Sequence, residues 1–266
     1  MTSEAIPRPH QQYGTELVRT WEPDVEPEAE IILVHGIAEH SGRYERVGSI
    51  LASAGFLVTG FDLAGHGMTG GRRGHVNRWS EYLDQIESHV VEAGHPRVLL
   101  GHSMGGTLVL GYAASHRAPV DLVVASAPAL GGGAAWQKAI ARVLGPLLPT
   151  LAVPQRLKGP QLSRDPLVGE KYFADPLVVT KATIRLGAEL FAAMDRVADS
   201  CADIAVPVLV LHGGADTLVP TPCTESLAAL EGFERRTYPH LRHEIFNEPE
   251  GPEIVAEVAD WISARV

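Results

Sequence analysis

Cysteine is scarce in this 266-residue chain: Cys201 and Cys223 are the only two, too few for a disulfide framework and without metal-ligand spacing. No apolar run approaches the ~18 residues of a transmembrane helix. The N-terminal stretch MTSEAIPRPHQQYGTELVRTWEPD has no apolar h-region of the signal-peptide kind. Positive charge is also short, with 22 Lys and Arg against 32 Asp and Glu, a net charge of −10. That balance argues against nucleic acid as a partner, because phosphate binding needs a basic face. It argues equally against simple attraction to anionic lipid. There are no internal repeats, no low-complexity segments, and no H-E-x-x-H or D-x-D-x-D-G. Two unpaired cysteines and no leader make a cytoplasmic location the expectation.

What the chain does have is 45% hydrophobic residues, enough for a full core. Short apolar runs alternate with helical periods. Ile31–Val34, the run in FLVTGF, Val98–Leu100, the run in VDLVVAS and Val208–Leu211 read as strands covered on both faces. Helical spacing falls between them, in RYERVGSILASAG and WSEYLDQIESHVVEAG, and again in the C-terminal GPEIVAEVADWISARV. Alternation of this kind implies a mostly parallel sheet with right-handed crossovers. TELVRTWEP and Ile31–Val34 read as a hairpin over residues 11–34. The alternation breaks from Pro128 to Val206, which reads as a helical insertion between two core strands. The expected organisation is a core of residues 1–127 and 207–266 with a helical cap at 128–206. Within it Trp136, Ile140, Val143, Leu144, Leu147, Leu148 and Leu151 fall near one helical face.

The chemistry centres on Gly101-His102-Ser103-Met104-Gly105, a G-x-S-x-G with a strand before it and a helix after it. That context makes a nucleophile elbow. The sharp turn exposes Ser103, and the next N–H, that of Met104, sits at a helix start that favours negative charge. A serine hydroxyl needs a base, and the base needs a partner to fix its tautomer. His243 follows the strand RRTYPHL and Asp216 follows PVLVLHG, so both lie at the sheet edge that carries the elbow. His240 is the rival base; Asp62, after FDL, reads instead as an acceptor for turn N–H groups. His102 is expected to be packed and hydrogen-bonded, its side chain diverging from Ser103. The backbone N–H of Ile37, in the exit loop of the first core strand, is the expected second oxyanion donor beside Met104.

These motifs resemble monoacylglycerol lipases of the bacterial type in the α/β-hydrolase superfamily. The residues that carry the likeness are HGIAEHSGRY (35–44), FDLAGHGMTGG (61–71), GHSMGG (101–106), LSRDP (162–166), HGGAD (212–216) and HEIFNEPE (243–250). The resemblance implies the α/β-hydrolase fold, with helices flanking the sheet and a lid-like cap between two core strands. It implies cleavage of a monoacylglycerol to glycerol and fatty acid, with no metal or organic cofactor. It implies that Glu39 and Arg43 orient the glycerol, and that the cap touches membrane or micelle, making the protein peripheral at a membrane surface. A homodimer contact through the same apolar cap stays open. The alternatives are a lysophospholipase, a general carboxylesterase, or a non-enzymatic binding module on the same fold.

Overall fold

The computed structural model describes residues 4–10, 14–92 and 94–266. The first half of the chain gives β1 (Glu4–His10), β2 (Gly14–Trp21), β3 (Glu30–Val34), α1 (Glu45–Ser53) and β4 (Leu57–Phe61). It continues with α2 (Ser80–Glu92), β5 (Arg97–His102), α3 (Met104–Ala113) and β6 (Leu122–Ser126). Between β6 and the next core strand lie α4 (Ala135–Leu147), β7 (Ala152–Pro154), α5 (Gly159–Leu162), α6 (Pro166–Ala174), β8 (Lys181–Thr183) and α7 (Ile184–Ser200). The chain closes with β9 (Val208–Gly213), β10 (Phe233–Tyr238) and α8 (Gly251–Ser263).

Eight strands form one sheet in the order β1-β2-β4-β3-β5-β6-β9-β10. β1 and β2 pair antiparallel, and β2 joins β4 antiparallel; the strands from β4 to β10 run parallel. This is the α/β-hydrolase architecture. It corrects the expected hairpin of residues 11–34. β2 pairs with β1 and β4, whereas β3 lies between β4 and β5, away from β2. Trp21 explains the placement. Its ring lies over Gly60 of β4 and Gly48 of α1, where a Cβ would come within 3.0 Å of it. Residues 11–13, the start of that expected hairpin, lie outside the described residues.

The strand period of two divides the core. Ile32 and Val34 face a cluster with α2, α3 and α7, while Ile31 and Leu33 face a second with α1 and α8. The segment between β6 and β9 packs into the core through α7. Leu186, Leu190, Ala193 and Val197 form one stripe of α7, and all join the core cluster that includes α3. The segment also holds a two-stranded antiparallel sheet, β7 with β8, that the sequence pattern did not reveal. Both strands are three residues long, too short to show a period.

Because β3, β5, β6, β9 and β10 are parallel, the loops after them share one edge. Ala38, Ser103 and Ala127 have φ of 70°, 53° and 44°, and each follows one of these strands. Among the described residues they are the only non-glycine residues at positive φ. Backbone strain of this kind is held where surrounding contacts over-determine it.

Candidate active site

Ser103 sits between β5 and α3, with its N–H donated to the Ser126 carbonyl at 2.9 Å and its carbonyl accepting from Ala129 at 3.1 Å. The glycines on either side are dictated by space. A Cβ at Gly101 would lie 2.2 Å from the Gly105 carbonyl oxygen, and one at Gly105 would lie 2.1 Å from that of Val34. Strand and helix can meet at this angle only without those carbons. Thr107 N–H bonds the Ser103 carbonyl, the first intrahelical bond of α3, so Met104 N–H belongs to the free first turn.

His243 and Asp216 meet: His243 Nδ1 and Asp216 Oδ2 are 2.7 Å apart. A carboxylate only accepts, so Nδ1 carries the proton and Nε2 is the free basic nitrogen. Leu218 and Val219 N–H groups hold the other oxygen of Asp216, at 2.8 and 3.0 Å. Burial alone would raise the Asp216 carboxyl, but hydrogen bonds from His212 and His243 outweigh it and keep it well below the usual carboxylate range. His240 is exposed. Asp62 accepts from Ser41 N–H and Met68 N–H, both at 2.8 Å, and so holds its turn as the sequence suggested.

The loop after β3 is organised by Glu39. One carboxylate oxygen accepts from Gly36 N–H at 2.6 Å and from the Tyr44 hydroxyl at 2.7 Å; the other accepts from Arg43. Burial would raise this carboxyl, and Arg43 chiefly, with His102, His35 and Tyr44, brings it down to about 2. Arg43 bonds both oxygens of Glu244, at 2.7 and 2.8 Å, and lies over the Tyr172 ring. The two residues of the pair differ in their relation to the cavity. Glu39 lines the cavity described below, whereas Arg43 is not among its lining residues, because its guanidinium is spent on Glu39, Glu244 and Tyr172.

His102 also departs from expectation. It is packed and hydrogen-bonded, with Nδ1 3.2 Å from Ser126 Oγ, but its ring stays at the site, 4.7 Å from that of His243. Burial first, and the neighbouring His243 second, push it down to about 4, so it is neutral at pH 7. Sequence reasoning missed this because side-chain direction at a strained turn is not encoded in spacing. It also missed His212, buried 3.4 Å from Asp216.

A cavity of about 410 Å³ joins these parts. Ser103, His243, His102, Ile37, Glu39 and Glu244 line it, and so do Leu157, Leu162, Leu190, Phe191, Met194 and Leu218. A nucleophile-type serine, an imidazole–carboxylate pair and largely apolar walls are together suited to acyl transfer from an apolar substrate.

A family profile described as "Serine aminopeptidase, S33" matches residues 25–250. The monoacylglycerol lipase of Mycolicibacterium smegmatis is 36% identical, across 92% of each chain. The chain belongs to the monoacylglycerol lipase-like α/β-hydrolases. Phospholipase YtpA of Bacillus subtilis is 32% identical over 88% of this chain and 95% of its own. Among solved structures, the monoacylglycerol lipase of Paleococcus ferrophilus superposes with a TM-score of 0.88 at 34% identity, covering 94% of this chain and 98% of that one. The protein is therefore a serine hydrolase of the monoacylglycerol lipase and esterase group. Among the described residues no helix is long and apolar enough to cross a membrane.

Proposed function

We propose that this member of the family hydrolyses monoacylglycerols through an acyl-enzyme on Ser103. His243 Nε2 takes the Ser103 proton as Oγ attacks the ester carbonyl. The N–H groups of Ile37 and Met104 receive the oxyanion, each donor contributing roughly 2.7–4 kcal/mol in the transition state. His243 then protonates the departing glycerol and activates the water that releases the fatty acid. Asp216 fixes the imidazole tautomer and stabilises its cationic form. The observation that carries the reading is the 2.7 Å His243–Asp216 contact, in a cavity that also holds Ser103 and apolar walls.

Glu39 acts by shaping the loop of Ile37 through Gly36 N–H, and Arg43 acts as a clamp between Glu39 and Glu244. The same clamp disfavours peptide substrates with a free amino terminus, since an ammonium group would need an unengaged carboxylate. Residues 128–206 serve as the cap. The face of α4 supports interfacial docking, with Trp136, Ile140, Val143 and Leu147 exposed by 64, 47, 63 and 69%. A matched panel of mono-, di- and triacylglycerol with one acyl chain tests the substrate class. Monoacylglycerol should turn over fastest by a wide margin, and equal turnover of triacylglycerol would contradict the assignment.

A further inference from the structure

A turn of the inserted segment, between α6 and β8, docks on the loop that carries Ile37 and has no part in the chemistry above. Asp175 opens this turn. Its side chain accepts from Leu177 N–H at 2.8 Å, and its carbonyl accepts from Val178 N–H at 3.2 Å. The turn is clasped to the core by side chains and backbone together. His40 Nε2 lies 2.9 Å from Asp175 Oδ2, Arg73 donates to the Leu177 carbonyl at 2.7 Å, and Val179 N–H donates to the Ala38 carbonyl at 2.7 Å. Gly42 N–H donates to His40 Nδ1 at 3.2 Å, so Nε2 carries the imidazole proton and gives it to the carboxylate. Ala38 and His40 belong to the same loop as Ile37, and Ala38 and Val179 are both buried.

The loop holds Ile37 N–H peptide by peptide. Leu63 N–H donates to His35 Nε2 at 2.9 Å, so the proton of His35 is on Nδ1, which donates to the Gly36 carbonyl at 2.7 Å. The Gly36 carbonyl and the Ile37 N–H share one planar trans peptide and point in opposite directions, so holding the first aims the second. Glu39 holds the preceding peptide through Gly36 N–H, and its carboxylate returns there across the turn at Ala38, which is left-handed at a φ of 70°. An alanine stays in that region only where neighbouring contacts over-determine it. The contact on the Ala38 carbonyl comes from the inserted segment, through Val179 N–H. We infer that the turn at Asp175 sets the aim of the oxyanion donor. Val179 and Asp175 hold Ala38 and His40, the turn at Ala38 holds Glu39 on Gly36, and Gly36 shares its peptide with Ile37 N–H. Asp175 and His40 are then positioning residues for the reaction, and the inserted segment completes the oxyanion site besides walling the cavity. This inference rests on the reading of Ile37 N–H as an oxyanion donor in the proposed function.

The test measures kcat and KM of the full chain on soluble p-nitrophenyl butyrate, so that no lipid surface enters. Asp175→Ala should lower kcat by about tenfold and leave KM within about twofold, because a displaced oxyanion donor costs the transition state and spares the bound ester. Asp175→Asn keeps an oxygen for His40 and for Leu177 N–H, and should recover most of kcat. An alkyl trifluoromethyl ketone supplies a second readout. Addition of Ser103 Oγ to its carbonyl puts an oxyanion where that of the ester would form, so its Ki should rise in Asp175→Ala by about the factor that kcat falls. A merely structural role for the turn would raise KM and lower the melting temperature while kcat and the Ki of the ketone stayed at wild-type values, which would overturn the inference. Ser103→Ala separates this inference from the reading beneath it. An inactive Ser103→Ala beside a wild-type kcat in Asp175→Ala would overturn the coupling alone, and an active Ser103→Ala would overturn both.

Discussion

Helices α3 and α4 are both apolar, and the protein uses them in opposite ways. In α3, MGGTLVLGYA, Met104, Leu108, Val109 and Leu110 are buried on all sides, and the strand carbonyls before it leave no room for a Cβ at Gly105. In α4, AWQKAIARVLGPL, the buried residues are Ala141 and Gly145, while Trp136, Ile140, Val143 and Leu147 stand in solvent. Gly145 lets α4 lie close to α7, where an added Cβ would sit 2.8 Å from Ala188. The small residues of α4 therefore pack closest, and four of its large ones face outward. A helix hydrophobic all round is a core element, and one whose bulky stripe faces water is a docking element. In the function proposed above, the chemistry sits on the first kind, where position is fixed, and interfacial docking is assigned to the second, where area and polarity matter.

Five measurements would break or sharpen this contrast. Ser103→Ala should lower kcat on a soluble ester by about 10⁶-fold with little change in thermal stability; retention of near-normal esterase activity would remove the elbow from the chemistry. Gly105→Ala should cost about 3 kcal/mol in chemical denaturation, since the new carbon has no soft neighbour to displace. Gly187→Ala, in α7 with nothing within 4 Å of the added carbon, should instead stabilise by about 0.5–1 kcal/mol.

Acid should act on the core side of the contrast. His66 and His102 are pushed by burial down to about 3 and about 4. Each is therefore neutral in the folded protein where the unfolded chain, near pH 6.5, begins to bind a proton. Their contribution to stability is present above that pH and is lost as pH falls toward the folded values. Glu39, held down to about 2, adds loss in the same direction below its ordinary 4.5. Melting temperature should fall steadily from pH 6.5 to 4, and His66→Gln should flatten that slope. The smallest effect on stability belongs to α4. Val143→Glu with Leu147→Glu should change it by about 0.5 kcal/mol or less. The same pair should lower turnover of vesicle-borne ester relative to a soluble short-chain ester by about tenfold. An unchanged ratio would return that face to the role of an ordinary surface.

The narrow motifs are explained by packing as much as by chemistry. In HEIFNEPE, Glu248 is fully buried and accepts from Arg242 N–H, Arg164 N–H and Ser163 Oγ, at 2.7, 2.9 and 3.1 Å. Glu244 N–H bonds the Leu162 carbonyl at 2.8 Å. LSRDP is thus the inserted segment's tie to the loop that carries His243. Its link to HEIFNEPE in the sequence marks that tie, and a ligand contact is not needed to account for it.

The sequence by itself determined the buried parallel strands, the elbow and the residues that the fold would bring to one edge. Buried parallel strands and a Gly-x-Ser-x-Gly turn are local patterns, and strand direction alone then places Ser103, Asp216 and His243 together. Only the tertiary structure decided the neighbours. It put β2 beside β4, joined α7 to the core, turned the His102 ring toward His243, and closed Arg43 between two carboxylates. Each of these depends on contacts between residues far apart in the chain, and no local period or spacing records which distant surface a side chain will meet.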